Sequence, residues 1–463
     1  MRNLIVLVLF ALVTTSTFSQ TAKVSPLYAG YKMEYLGNSD GLRYYTYYKG
    51  SGGDFNTQIV GLSEGGSEEK KLTLVNTKTS YINAVRISDG KITCIVSESK
   101  SEKYGTVYTK AVVQEYSIST GKPIGTSVDL LSKLTQLDGG YVIDYFGNSH
   151  SENHEWSLVR IKTNEPSKIA VLVFDKHGEV KTAKTIDLEY NEKGLYSLYG
   201  PKVSNNGDVY FAYTANIKGE YKYSIGRVAV GGASKVQRVN FGPEMANISL
   251  GFDKGSPVIT YTIYGKDAIY VTAYGFFKFD SNLNSVAEKK VAISASAGNA
   301  MGENVYVNKK AVPYLNPIGT YFRSDGSAVV VTGQGGVHNS EYASRPTSGG
   351  ILLFVLSPNF EEKKVKFIKK SQEGTASNLG CDVLQQGDDL LIFHNTSFKP
   401  AADLQADFVV RKLVDGELSE PKVLIKDSPR DVNPEYHFTE GNELYFYTTT
   451  EWATKPGIVF IKL

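Results

Sequence analysis

Two histidines stand four residues apart in HSENHE, His150 to Glu155, with Glu152 between them and Glu155 after them. On a helix that set would face one way and bind a zinc ion. The flanking sequence is not helical. YVIDYFGNS (Tyr141 to Ser149) and WSLVRIKT (Trp156 to Thr163) read as strands, so the segment is expected to be a solvated turn and no metal site is assigned. DSNLNS, Asp280 to Ser285, opens like a calcium loop, with oxygen ligands at alternate positions. It lacks the glycine at position six and has Val291 where the bidentate glutamate belongs, so a hairpin turn accounts for it better. The chain has no G-x-S-x-G elbow, Walker loop, H-E-x-x-H or Rossmann fingerprint, and no arginine-rich sialidase signature. Its 48 acidic residues offer many pairings for glycosidase-type chemistry, which only geometry selects.

The elements that would position such residues are strands. Runs of five to nine residues rich in Val, Ile, Tyr, Phe and Thr recur between Gly, Asp, Asn and Ser, and no convincing helical period follows the N-terminus. One pattern repeats. NSDGLRYYTYY (Asn38 to Tyr48) is echoed by SNNGDVYFAYT (Ser204 to Thr214), DKGSPVITYTIY (Asp253 to Tyr264) and TEGNELYFYTTT (Thr439 to Thr450), and more loosely at Ser88, Ser324 and Gln386. Each copy is a polar turn and a strand, and most are followed by a second strand and then a Lys-rich third. With the short strand before each turn, the unit is a four-stranded up-and-down sheet, the blade of a propeller.

The fold class is therefore all-β, a β-propeller with eight blades preferred and seven the alternative. Counting eight requires YVIDYFGNS and WSLVRIKT to be the first two strands of blade 3. The last unit runs out after three strands, and TAKVSPLYAG (Thr21 to Gly30) is the expected donor of the fourth. Within LRYYTYY, alternation sends Leu42, Tyr44, Thr46 and Tyr48 to one face and Arg43, Tyr45 and Tyr47 to the other. These tyrosines are expected to pack between blades and not to form a ligand platform.

The last unit, DVNPEYHFTEGNELYFYTTT, resembles the repeat of TolB-type, WD40-like propellers, in which Asp and Pro precede a short strand, an Asp-Gly turn and a strand ending in Phe and Ser. Asp431, Pro434, Gly441 and Phe446 match, with Glu440 where Asp is usual and Thr448 where Ser is usual. The match covers one unit of the eight counted and implies a fold, not an activity.

In a propeller, the connections from second to third strand and from fourth strand to the next blade share the face that commonly carries ligands. The longest of these are Ser294 to Pro317 and Thr332 to Gly350. The second mixes Gly and Ser with His338, Asn339, Glu341, Tyr342 and Arg345, a set suited to a polar ligand or partner, and is the sequence-based candidate site.

Residues 1–19 carry Arg2, the apolar run Leu4 to Val13 and a small polar end, the layout of a secretory signal, leaving 20–463 as one propeller domain. The expected location is periplasmic or extracellular, without a transmembrane anchor. Net charge is +2 with Lys and Arg dispersed, which argues against nucleic acid as a partner. The two cysteines, Cys94 and Cys381, fall in blades 2 and 7, too far apart to bridge. A defined architecture without catalytic motifs points to an exported monomer that binds or scaffolds a protein or a cell-surface glycan. The competing reading is a hydrolase, lyase or lactonase acting on carbohydrate in the central funnel. The sequence leaves enzyme or binder open and names no cofactor.

Overall fold

In the computed structural model the repeated turn and strand are the first hairpin of each of eight antiparallel sheets, so the ring has eight blades and not seven. The structure describes residues 22–26, 28, 31–49, 56–76, 80–102, 105–130, 141–163, 167–188, 195–217, 220–242, 244–265, 270–301, 312–313, 315–339, 344–373, 381–396, 406–428, 431–440, 443–449 and 457–462. Residues 1–19 lie outside this set.

The first seven sheets each run in chain order from the inner strand to the outer one. Blade 1 is Tyr31–Ser39, Leu42–Lys49, Asn56–Leu62 and Glu68–Leu74; blade 3 is Tyr141–His150, Trp156–Thr163, Lys168–Asp175 and Val180–Asp187, as the eight-blade count requires. Blade 8 takes Asp431–Glu440, Glu443–Thr449 and Gly457–Lys462 from the C-terminal end, and Ala22–Val24 completes it. The register of that closing pair is Ala22 to Ile461, Lys23 to Phe460 and Val24 to Val459, and Ser25 extends it with hydrogen bonds to both backbone groups of Ile458.

The core lies between blades. Tyr44 packs toward blade 2 with Ile59, Ala84 and Cys94, while Tyr45 and Tyr47 pack toward blade 8 with Tyr445 and Phe460. The tyrosine-rich strand thus serves two interfaces, and burying each ring contributes about 1.5–3 kcal/mol. Outer strands such as Glu68–Leu74 alternate exposed charge with partly covered residues, which blunts edge pairing.

Two connections depart from the expectation of plain loops. After Ser294, Ala295–Met301 forms a short helix that buries Ala297 and Met301 in the core between blades 5 and 6. In the second, the strands do not stop at the glycines. Ala328–Asn339 and Ser344–Leu356 continue as a hairpin, with His338 opposite Arg345 and Asn339 opposite Ser344, because cross-strand pairing overrides the weak propensity of the Gly-rich stretch. Glu341 and Tyr342 lie outside the described residues. No described helix is long and apolar enough to cross a membrane.

Candidate functional site

The turn inside HSENHE is held by its own hydrogen bonds. Ser151 N–H donates to Trp156 O at 3.0 Å, His154 N–H donates to Ser151 O at 2.9 Å, and Trp156 N–H donates to Ser151 Oγ at 3.1 Å. Blade 4 builds a related turn, one residue shorter, from Ser204 to Asp208: Ser204 N–H donates to Asp208 O at 2.9 Å and Gly207 N–H to Ser204 O at 3.0 Å. The fourth position of both turns is left-handed. Blade 4 fills it with Gly207 at φ 86° and blade 6 with Gly326 at φ 82°, whereas blade 3 has His154 at φ 56°. A side chain there costs roughly 1 kcal/mol relative to glycine, a cost that Leu283 at φ 64° and Phe360 at φ 58° also bear in turns of blades 5 and 6.

That imidazole faces a pocket of about 480 Å³ where the turns of blades 1, 2 and 3 converge. Blade 1 supplies Tyr35 and Asn38, blade 2 supplies Arg86 and Asp89, and blade 3 supplies the turn itself with Lys176 and His177. The His154 ring meets Tyr35 edge-on, with centroids 5.3 Å apart, and the Tyr35 hydroxyl donates to Asn38 Oδ1 at 2.8 Å.

Arg86 ties the floor together. Its Nε–H donates to Lys176 O at 3.0 Å, Nη1–H to Ser157 Oγ at 2.9 Å, and Nη2–H to His154 O. All three acceptors are uncharged. Desolvation lowers the guanidinium pKa, partly offset by Tyr35, Glu155 and Asp175. Ser157 in turn lies 2.9 Å from His150 Nδ1. Desolvation, then the neighbouring His154 and Arg86, pushes the His150 pKa down to about 3 against a hydrogen bond to the Tyr35 backbone. His150 is therefore neutral at physiological pH. Because Arg86 only donates, Ser157 accepts from it and is free to donate to Nδ1. This chain pins blades 1, 2 and 3 beneath the pocket.

At the rim, Lys176 pairs with Glu155 at 3.0 Å and His177 Nδ1 lies 3.3 Å from Asp89. Among the described residues no group of three or more His, Cys, Asp or Glu is arranged to hold a metal ion. HSENHE is a turn, as expected. It is more than a solvated one, because the ring brings residues from two other blades against it.

The pocket opens on the end of the ring that carries the first-to-second and third-to-fourth turns. The hairpin of His338, Asn339 and Arg345 projects from the opposite end and is not brought to it. Sequence reasoning passed over Tyr35, Asn38 and Arg86 as site residues. The available signal was a histidine at the turn position where blades 4 and 6 carry Gly207 and Gly326.

No family model matches the chain, and no curated protein matches it. Among solved structures it is similar to a post-proline cleaving enzyme from Rickettsia typhi, at 10% identity over 92% of this chain and 58% of that one, with a TM-score of 0.36. A polysaccharide lyase is 8% identical over 82% of this chain and 90% of that one, at 0.41. The propeller domain of the trilobed protease from Pyrococcus furiosus is 10% identical over 83% and 95%, at 0.38. The chain thus spans less than two thirds of the Rickettsia enzyme. Likenesses of this degree assign no activity.

Proposed function

We propose that this propeller is an exported binding module whose pocket over blades 1 to 3 holds a neutral, hydroxyl-rich ligand, the accessible end of a cell-surface glycan. The observation that carries the reading is the composition of the pocket wall. It sets Arg86 and Lys176 against Asp89, Glu152 and Glu155, beside the ring of Tyr35 and three imidazoles. An anionic ligand meets three carboxylates and a cationic one meets the buried guanidinium. A polyol answers both kinds of group through hydroxyls that donate and accept, and a sugar face stacks on an aromatic edge.

Binding is favoured over catalysis at this site because its enclosed imidazole is a poor base. A histidine with a pKa of about 3, engaged by Ser157 and by the Tyr35 backbone, is badly matched to proton transfer at neutral pH.

The test is a glycan array with the intact mature chain and with His154→Gly. Glycine suits the left-handed position, so this variant is expected to melt no lower than the parent while affinity for neutral oligosaccharides falls about tenfold or more, about 1.4 kcal/mol. Absence of glycan binding by the parent, or undiminished binding by His154→Gly, sinks the reading.

A further inference from the structure

A second cavity, of about 260 Å³, opens on the flank of the ring in the seam between blades 4 and 5. Blade 5 builds its floor. Tyr261 of Ser256–Tyr264 stands opposite Gly275 of Tyr270–Phe279, and Gly275 stands opposite Lys290 of Ser285–Ala292. A Cβ at Gly275 would lie 2.6 Å from the Tyr261 oxygen, so the glycine lets the phenol lie across the third strand. The hydroxyl then donates to Lys289 O, on the fourth strand, at 3.0 Å. Phe277 lies beside that ring, with centroids 5.5 Å apart. Phe241, which follows the outer strand Ser234–Val239 of blade 4, meets Tyr261 and Phe277 edge-on at 4.8 and 5.3 Å. Phe241 and Tyr261 are buried, whereas Phe277 is only partly covered and is the ring a ligand can reach.

The polar groups around this floor have bonding capacity to spare. Asn240 Oδ1 accepts from Gly242 N–H at 2.9 Å, which fixes the orientation of the amide. Its Nδ2 makes no hydrogen bond among the described residues. Glu288 is opposite Phe277 in register and so shares its face of the sheet. The carboxylate takes one hydrogen bond, from Ser285 Oγ at 3.2 Å, and forms no ion pair among the described residues. Lys290 lies 3.8 Å from Glu244, with both side chains about half exposed, a contact that solvent screens.

These groups select a ligand by charge. An anion meets Glu288 and a cation meets Lys290, both in the lining. A neutral polyol satisfies all of them. Its hydroxyls donate to Glu288 and accept from Asn240 and Lys290, while the C–H face of a sugar ring packs on Phe277.

We infer that this seam is a second saccharide site, sized for a single sugar unit, and that the propeller is bivalent for neutral glycans. The class of ligand rests on the glycan reading of the pocket over blades 1 to 3, with which the seam shares no residue. Two sites on one rigid ring raise the avidity for a surface that displays many glycan ends, without strengthening either site.

Each site contains one lysine that is about half exposed and pairs with a glutamate, Lys176 in the first and Lys290 in the second. Reductive methylation read by peptide mass spectrometry therefore reports the two sites separately. The probes are maltotriose, cellotriose and chitotriose, added to the intact chain, and at least one of them is expected to protect both lysines. Asn240→Asp with Glu288→Gln keeps the acceptor for Gly242 and removes the free amide and the carboxylate. This double variant is expected to melt like the parent, to need about tenfold or more sugar to protect Lys290, and to protect Lys176 as before. Protection of Lys176 alone, or undiminished protection of Lys290 in the double variant, overturns the second site and leaves the pocket standing. Protection of Lys290 alone, lost in the double variant, keeps the seam site and sinks the pocket reading. If no probe protects either lysine, both readings fall.

Discussion

Arg43 of blade 1 and Glu443 of blade 8 meet at 2.7 Å across the seam where the ring closes. The guanidinium lies 5.2 Å from the centre of the Tyr445 ring, and the Tyr445 hydroxyl donates to the same carboxylate oxygen. Both charged side chains are mostly covered, at 17% and 16% exposure, so the pair escapes most solvent screening. Arg43→Met keeps the volume and removes the charge, leaving Glu443 with Tyr445 alone. A loss of ~1–3 kcal/mol is expected. Chemical denaturation checks it: an unchanged midpoint means that the pair does not hold the seam.

Removing Thr21 to Gly30 from the mature chain strips the outer strand from blade 8 and exposes Gly457–Lys462 as an edge. Three backbone pairings and the Ser25 bonds go with it. The expected result is a lower melting temperature and concentration-dependent association, because an unpaired edge templates pairing with another chain. Calorimetry with light scattering reads both, and a variant that melts like the parent refutes the closure.

Acid should weaken the fold through two imidazoles. His150 titrates at about 3 and His394 at about 4, against 6.5 for a free side chain. For His394 desolvation dominates, with Lys370 and Arg411 adding to it against a backbone bond to Asn395. Between the free value and these lower ones the unfolded chain takes up protons that the folded chain refuses. Stability is thus full above about pH 6.5 and lost as pH falls toward 4, at up to ~1.4 kcal/mol per pH unit for each imidazole. Replacing both by Gln should flatten the stability curve over pH 4 to 6.5, and an unchanged slope would show that neither ring is held neutral.

Cys94 and Cys381 are both free and buried, and burial pushes the Cys94 thiol up well beyond its ordinary range. Alkylation of the folded protein should leave both unmodified, and alkylation after unreduced denaturation should modify both. Mass spectrometry that found a Cys94 to Cys381 linkage would contradict the blade order.

The fold was legible because each blade writes its own signature locally: turn, tyrosine-rich strand, Lys-rich outer strand. Even the closing strand could be read, from a last unit one strand short. The site was not, for a geometric reason. Tyr35, Arg86 and His154 belong to three separate repeats and become neighbours only when the ring sets their turns side by side. The glycines of Thr332 to Gly350 misled in the other direction, since their effect on propensity is visible in sequence and the partner strand that overrides it is not.

The hydrogen bond from Ile458 N–H to Ser25 Oγ joins positions 433 residues apart. Blades 1 to 7 are each hairpins between neighbours in sequence and can assemble in turn as the chain emerges. Blade 8 cannot, because one of its strands is made first and the other three last. During synthesis the ring therefore stays an open arc, with Ala22–Val24 waiting for a partner and blade 1 offering its tyrosines to an absent neighbour. Closing so long a loop is slow, and the arc is the species most exposed to aggregation and most in need of a chaperone. A circular permutant with new ends between blades 4 and 5 would make blade 8 contiguous and move that delay to a different seam.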